Sequence, residues 1–236
     1  MSRHFYGAII NALKCGTKPL SRTTIHGLEN IPSTGAVIFT PNHVSNLDPV
    51  LVGSSIYPKR SVKALAKDSL FTIPVVGKVI TKMGHIPVLR NSPSAKDSLE
   101  KAIEGLKEGE AIAIYPEGTI PVNLDEIGPL KTGAVRLALL SGSPIVPIAQ
   151  WGAQYSLPKH AKAKDILKAL FTRPKHTIVV GKKIEHPLLD GIARNDFTSK
   201  DVRDITQHLA QVLEEMVAPL RNKQVERKRP FRELQK

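Results

Sequence analysis

The sequence predicts an α/β fold: a mostly parallel central sheet flanked by helices. Three observations carry that expectation. Short runs rich in Val, Ile, Ala and Thr recur along the chain, separated by segments with helical period. Those runs are apolar almost throughout rather than alternating, as strands buried on both faces are. No Gly- or Pro-rich linker divides the 236 residues, of which 41% are hydrophobic and 23% charged. That balance suits one large globular domain.

The elements follow in order. Residues 1–20 form an amphipathic helix. Phe5, Ile9 and Leu13 fall four apart, with Arg3, Lys14 and Lys18 mostly on other faces. It reads equally as a helix docked on its own domain or as one lying in a membrane surface. A single domain is expected over 21–220, with strands at residues 23–26, 36–40, 62–66, 85–89, 111–115, 145–150 and 177–181. Helices are expected at 49–55, 74–83, 94–107, 131–140 and 199–220. Residues 221–236 carry seven Lys/Arg against two Glu and read as a solvated basic tail. No stretch is apolar for the roughly 20 residues a spanning helix needs, and no signal peptide is visible.

Charge narrows the class of partner. Lys and Arg number 34 against 21 Asp and Glu, a net charge of +13. Such a surface attracts anionic lipid, phosphorylated substrates or nucleic acid. Aromatics make up only 5% and no nucleic-acid motif is present, so nucleic acid is not expected as a partner. The single cysteine, Cys15, excludes an internal disulfide and a Cys-based zinc cage. The G-x-S-x-G, H-E-x-x-H, G-x-x-x-x-G-K-[ST] and G-x-G-x-x-G patterns are all missing. A covalent acyl-enzyme, nucleotide hydrolysis and cofactor chemistry therefore find no support; no metal and no cofactor are expected.

Three polar stretches fall at strand ends, where sites gather in such folds, and a fourth opens a helix. In "FTPNHVSNLDP", His43 and Asp48 stand five apart across a turn. Asp48-Pro49 suits a helix start, with Asp48 as its cap. A general base with the carboxylate that orients it suits the pair as well, and the two readings are even. In "GHIPVLR", Arg90 ends a strand and could hold phosphate bidentately. In "YPEGT", Gly118 admits close approach of a ligand, and its neighbours' N–H groups with the Thr119 hydroxyl could hold an anion. In "GPLKTGAVRLALL", Lys131 at a helix start gains nothing from the helix dipole unless it shares an anion there.

Together and in this order, with the strand Ile145–Ile148 as a fourth motif, these stretches resemble the glycerolipid acyltransferase family, typified by the 1-acylglycerol-3-phosphate acyltransferases. The resemblance covers roughly residues 20 to 190. It rests on His43-Val-Ser-Asn-Leu-Asp48, Gly84 through Arg90, and Pro116-Glu-Gly-Thr119; the segment 67–77 looks like the family's connection after the first motif. The resemblance implies transfer of an acyl group from an acyl-CoA or acyl carrier protein thioester to the free hydroxyl of a lysophospholipid acceptor. His43 would be the base and Asp48 its support. Lys67 is nominated as oxyanion donor, and Arg90, Glu117, Gly118, Thr119 and Lys131 as the acceptor's phosphate and glycerol site, with Glu117 orienting Arg90, Lys131 or a glycerol hydroxyl.

Lipid substrates imply peripheral attachment to the cytoplasmic face of the cell membrane, an anionic surface. The sequence departs from the family at position 120, where Ile120 replaces an arginine, and at Pro87, where an aromatic is usual. The first departure leaves open glycerol-3-phosphate or another lysolipid as acceptor, or an inactive lipid-binding protein.

Overall fold

The computed structural model describes residues 3–88 and 95–226. All seven expected strands form: β1 (Arg22–His26), β2 (Val37–Pro41), β3 (Lys63–Lys67), β4 (Ile86–Val88), β5 (Ala111–Ala113), β6 (Ile145–Trp151) and β7 (Lys175–Val180). They make one sheet in the order β1-β7-β6-β2-β5-β3-β4. From β6 to β4 neighbours run parallel, β7 is antiparallel to β6, and β1 is parallel to β7. The reversal has a local cause. β7 enters at the edge where β6 leaves, Trp151 lying opposite Thr177. No crossover over the sheet face is then needed, so the strand cannot be parallel.

The helices are α1 (Arg3–Thr17), α2 (Asp48–Ile56), α3 (Val76–Lys82), α4 (Ala95–Lys107), α5 (Gly133–Ser141), α6 (Ala163–Thr172) and α7 (Ser199–Glu226). Every residue of β2 is buried, and its side chains alternate between two cores. Val37 and Phe39 join Leu51, Val52 and Ile56 of α2 on one face. Ile38 joins Leu106 of α4, Leu137 of α5, and Ile205 and Leu209 of α7 on the other.

Two expectations need correction, and one left open is narrowed. One side of α1 is used inside the protein, while Phe5 stays 43% exposed. Tyr6 and Ile10 are buried, and the Tyr6 hydroxyl donates to the Val62 carbonyl at 2.8 Å. A Cβ on Gly7 would collide with the Tyr57 hydroxyl, so that glycine lets the chain leaving α2 come close. Burial pushes the Tyr6 hydroxyl up to about 12. Docking on its own domain is therefore what the first helix does.

Next, the basic tail does not begin at 221. Helix α7 runs on to Glu226, and Arg221 pairs with Glu214 at 2.8 Å and lies over the Trp151 ring; residues 227–236 lie outside the described residues. Last, no element is expected between residues 150 and 177, yet α6 lies there. Among the described residues, no helix is long and apolar enough to cross a membrane.

Candidate active site

Because β2, β3, β5 and β6 run in one direction, their C-terminal ends meet along one edge. His43 follows β2 there, Glu117 follows β5, and Lys67 is the last residue of β3. With β5 between their strands, Lys67 is exposed about 10 Å along the edge from β2. A surface depression of about 590 Å³ is lined by Pro144, His186 and Asp190. It contains none of these residues and lies beside the start of β6, the opposite edge.

His43 is held from the strand outward. Asn42, the residue after β2, is clamped to β6 on both sides of its amide. Its Oδ1 accepts from the Gln150 N–H at 2.7 Å, its Nδ2 donates to the Gln150 carbonyl at 3.1 Å, and the Gln150 Nε2 donates to the Asn42 carbonyl at 2.6 Å. The chain then turns. His43 Nδ1 lies 2.8 Å from Asp48 Oδ2, and the same oxygen accepts the N–H groups of Val44 at 2.6 Å and Ser45 at 2.8 Å.

Asp48 is thus not the cap of α2. It is the helix's first residue, Leu47 holds the cap position without a side-chain bond, and the carboxylate reaches back to the loop instead of forward. This settles why a five-residue spacing works: one fully buried oxygen gathers the loop and the imidazole together. Two backbone amides accept no proton and give none up, so Oδ2 remains a pure acceptor and His43 must offer Nδ1–H. Burial raises the Asp48 carboxyl above its ordinary value, opposed by the hydrogen bonds from His43, Ser45 and Val44. His43 keeps 18% of its side chain exposed, and its Nε2 has no hydrogen-bond partner among the described residues. That nitrogen is the free basic lone pair.

The YPEGT stretch joins the same corner. The Tyr115 ring lies 4.4 Å from the imidazole, centre to centre. Glu117 Oε1 accepts the backbone N–H of His43 at 2.8 Å. Oε1 of Glu117 is therefore committed to the main chain of His43, a partner the sequence did not suggest. Burial, helped by the nearby Asp48 and opposed by that hydrogen bond, pushes its carboxyl up to about 7.

Gly118 adopts φ +71°, so the turn favours glycine, and the Lys131 side chain packs over the place a Cβ would take, 2.9 Å from Cε. Lys131 thereby stretches across the motif. It precedes α5, whose cap is Thr132, and its N–H donates to the Pro116 carbonyl at 2.8 Å. Thr119 is exposed at the tip of the turn. Arg90 lies outside the described residues.

A family model described as Acyltransferase matches residues 22–151, more than half of the chain and the whole edge from His43 to Trp151. This chain belongs to the acyltransferase family. Among its relatives is a chloroplastic 1-acyl-sn-glycerol-3-phosphate acyltransferase of Brassica napus, 34% identical over 59% of this chain. The chain spans only 40% of that relative's length. A 1-acyl-sn-glycerol-3-phosphate acyltransferase of Bacillus subtilis is 27% identical over 92% of this chain and 98% of its own. The crystal structure of the 1-acyl-sn-glycerophosphate (LPA) acyltransferase PlsC from Thermotoga maritima superposes with a TM-score of 0.70. The match covers 93% of this chain and 81% of that one at 22% identity, a likeness of fold.

Four further residues, Gln150, Tyr115, His176 and Lys159, matter that the sequence did not nominate for the site. Gln150 supports Asn42 as described, and its side chain bonds the Tyr115 hydroxyl. Its Oε1 lies 3.2 Å from Nε2 of His176, a fully buried histidine on β7 that burial holds down at about 4. Lys159 is the fourth. Its Nζ donates to the carbonyl of Ile120 at 2.6 Å, the position where the family's arginine is missing. Its segment is bound to the first motif: Ser45 Oγ donates to the Leu157 carbonyl at 2.6 Å and Asn46 Nδ2 to the Lys159 carbonyl at 3.1 Å. A cation thus stands beside Ile120, delivered from a different part of the chain.

Proposed function

We propose that this chain moves a fatty acyl group from a coenzyme A or acyl carrier protein thioester to the free hydroxyl of 1-acylglycerol-3-phosphate, giving phosphatidic acid for phospholipid synthesis. The observation that carries the reading is the imidazole with one nitrogen committed to Asp48 and the other open. An alcohol is a poor nucleophile while protonated. His43 Nε2 takes the hydroxyl proton as the oxygen attacks the thioester carbonyl, help worth about 10²–10⁴ in rate. Asp48 Oδ2 holds the imidazole in the required tautomer and supports the imidazolium. Lys67, on the same edge, is assigned the developing oxyanion. Collapse breaks the carbon–sulfur bond, and the leaving thiolate takes up the proton that His43 carries.

Lys131 and Lys159 flank the Pro116–Thr119 turn and are assigned the acceptor's phosphate, a task the family resemblance also gives to Arg90. Glu117 fixes the base through its backbone. The relatives that bear this activity's name support the reading, as does the basic surface, which suits peripheral attachment to the anionic cytoplasmic face of the cell membrane. The test is a panel of acceptors with one labelled acyl-coenzyme A, read by product mass. Lysophosphatidic acid is expected to dominate. Preference for glycerol-3-phosphate or a neutral lysolipid would reassign the acceptor, and Ile120 would be the reason. No product with any acceptor would leave a lipid-binding protein.

A further inference from the structure

Helix α6 carries its apolar residues on the outside. Ile166, Leu167, Leu170 and Phe171 are exposed, Leu167 at 56% and Phe171 at 82%. At about 100° per residue these four share one arc of about 140°. Ala169, the one buried residue of the helix, lies on the opposite side and faces the protein. Lys164 and Lys168 border one flank of the arc, Lys162 and Arg173 the other, and all four are exposed. Asp165 is the sole acid in the helix and is occupied in its first turn, accepting the Lys162 N–H at 2.8 Å.

The placement matters as much as the composition. β6 ends and β7 begins at the catalytic edge, so the 152–174 connection that bears α6 is confined there. Its first part is bonded to Ser45 and Asn46, inside the His43–Asp48 loop.

We propose that α6 lies in the surface of an anionic bilayer, with Leu167 and Phe171 among the acyl chains and its lysines on the headgroups, so that the catalytic edge opens onto the membrane. Four large apolar side chains turned to water between two cationic borders match such an interface in both chemistry and sign. The inference rests on the reading that the acceptor is a membrane lipid, and gives that acceptor a route which does not cross water.

Flotation of the purified full chain with vesicles tests it, using phosphatidylcholine alone or with phosphatidylglycerol. The wild type is expected to float with the anionic vesicles. Leu167→Glu with Phe171→Glu should cut the bound fraction at least tenfold with thermal midpoint and circular dichroism unchanged. Lys164→Gln with Lys168→Gln should lower binding severalfold on anionic vesicles only. The apolar double variant should lose vesicle-borne long-chain lysophosphatidic acid acylation while keeping that of a short-chain, water-soluble analogue. Independently, Phe171→Trp should shift its emission to the blue when anionic vesicles are added.

A wild type that stays in solution, an apolar variant that floats as well as wild type, or an unshifted tryptophan overturns the proposal. So does a variant whose only change is from oligomer to monomer, which would give the face to a second copy of the chain. Flotation lost as expected, with a wild type that acylates no acceptor, would instead sink the enzymatic reading and leave the docking surface standing.

Discussion

His43 and His176 sit behind the same edge of the sheet and have opposite fates. His176 is sealed: Thr23 lies at one ring nitrogen and Gln150 at the other, and burial keeps the ring neutral down to about 4. His43 is half-finished: Asp48 takes Nδ1 and nothing among the described residues takes Nε2. The contrast teaches that a histidine is left able to act as a base by what is withheld from it. The two are also connected. His176 holds Gln150, Gln150 holds Asn42, and Asn42 sets the chain direction just before His43. The sealed ring braces the strand end from which the open one departs.

The largest expected effect breaks the contrast outright. His43→Ala should lower turnover by about 10²–10⁴ with the thermal midpoint unchanged. His176→Ala should do the reverse, costing about 1–3 kcal/mol of stability by stranding Gln150 and Thr23, with turnover within a few-fold. Chemical denaturation and steady-state kinetics on both proteins read the two axes, and a shared pattern would erase the distinction.

Asp48→Asn comes next. The Val44 and Ser45 N–H groups keep an amide oxygen at the Oδ2 place, so the tautomer is retained but the negative charge that supports the imidazolium is lost, and turnover should fall about 10²-fold. A variant that only melts earlier would make Asp48 a brace for the loop. Lys159→Ala and Lys131→Ala should each raise the acceptor KM about tenfold, as expected for loss of one charged hydrogen bond, with kcat little changed. An unchanged KM in both would move the phosphate elsewhere.

The smallest effects are in the pH dependence of stability. His176 and His85 are both held down at about 4 from 6.5. Between those values the unfolded chain binds more protons, so stability falls as the pH drops from about 6.5 toward about 4. Glu117 acts in the other direction. Its carboxyl is raised from 4.5 to about 7, so the folded chain binds more protons there and stability falls as the pH rises through that window. Glu117→Gln keeps an acceptor for the His43 N–H and should raise the thermal midpoint at pH 8 by a few degrees, with no gain at pH 4. Equal gains at both would show that its ionisation is not what costs stability.

Much of this was legible in the sequence, for reasons that can be named. β2, β5 and β6 announce themselves because buried parallel strands need nearly uninterrupted apolar runs. His43 and Asp48 stand out because a polar pair at the end of such a run has few structural excuses. What escaped depends on the path of the chain in space. The antiparallel β7 is set by where β6 ends, which no local pattern encodes. Lys159 reaches Ile120 across 39 positions, so the cation beside the missing arginine is invisible to motif order. The helical spacing of Ile166, Leu167, Leu170 and Phe171 was present to be read. Only the structure shows that this face points outward while Tyr6 and Ile10 of α1 turn inward.

The central claim is that His43 drives acyl transfer to a lysolipid hydroxyl. Its most direct test follows thiol release and phosphatidic acid formation together, in wild type and His43→Ala, with lysophosphatidic acid and one acyl-coenzyme A. The account predicts one phosphatidic acid for each thiol in the wild type and neither product above background in the variant. Phosphatidic acid formed by His43→Ala at the wild-type rate would contradict it.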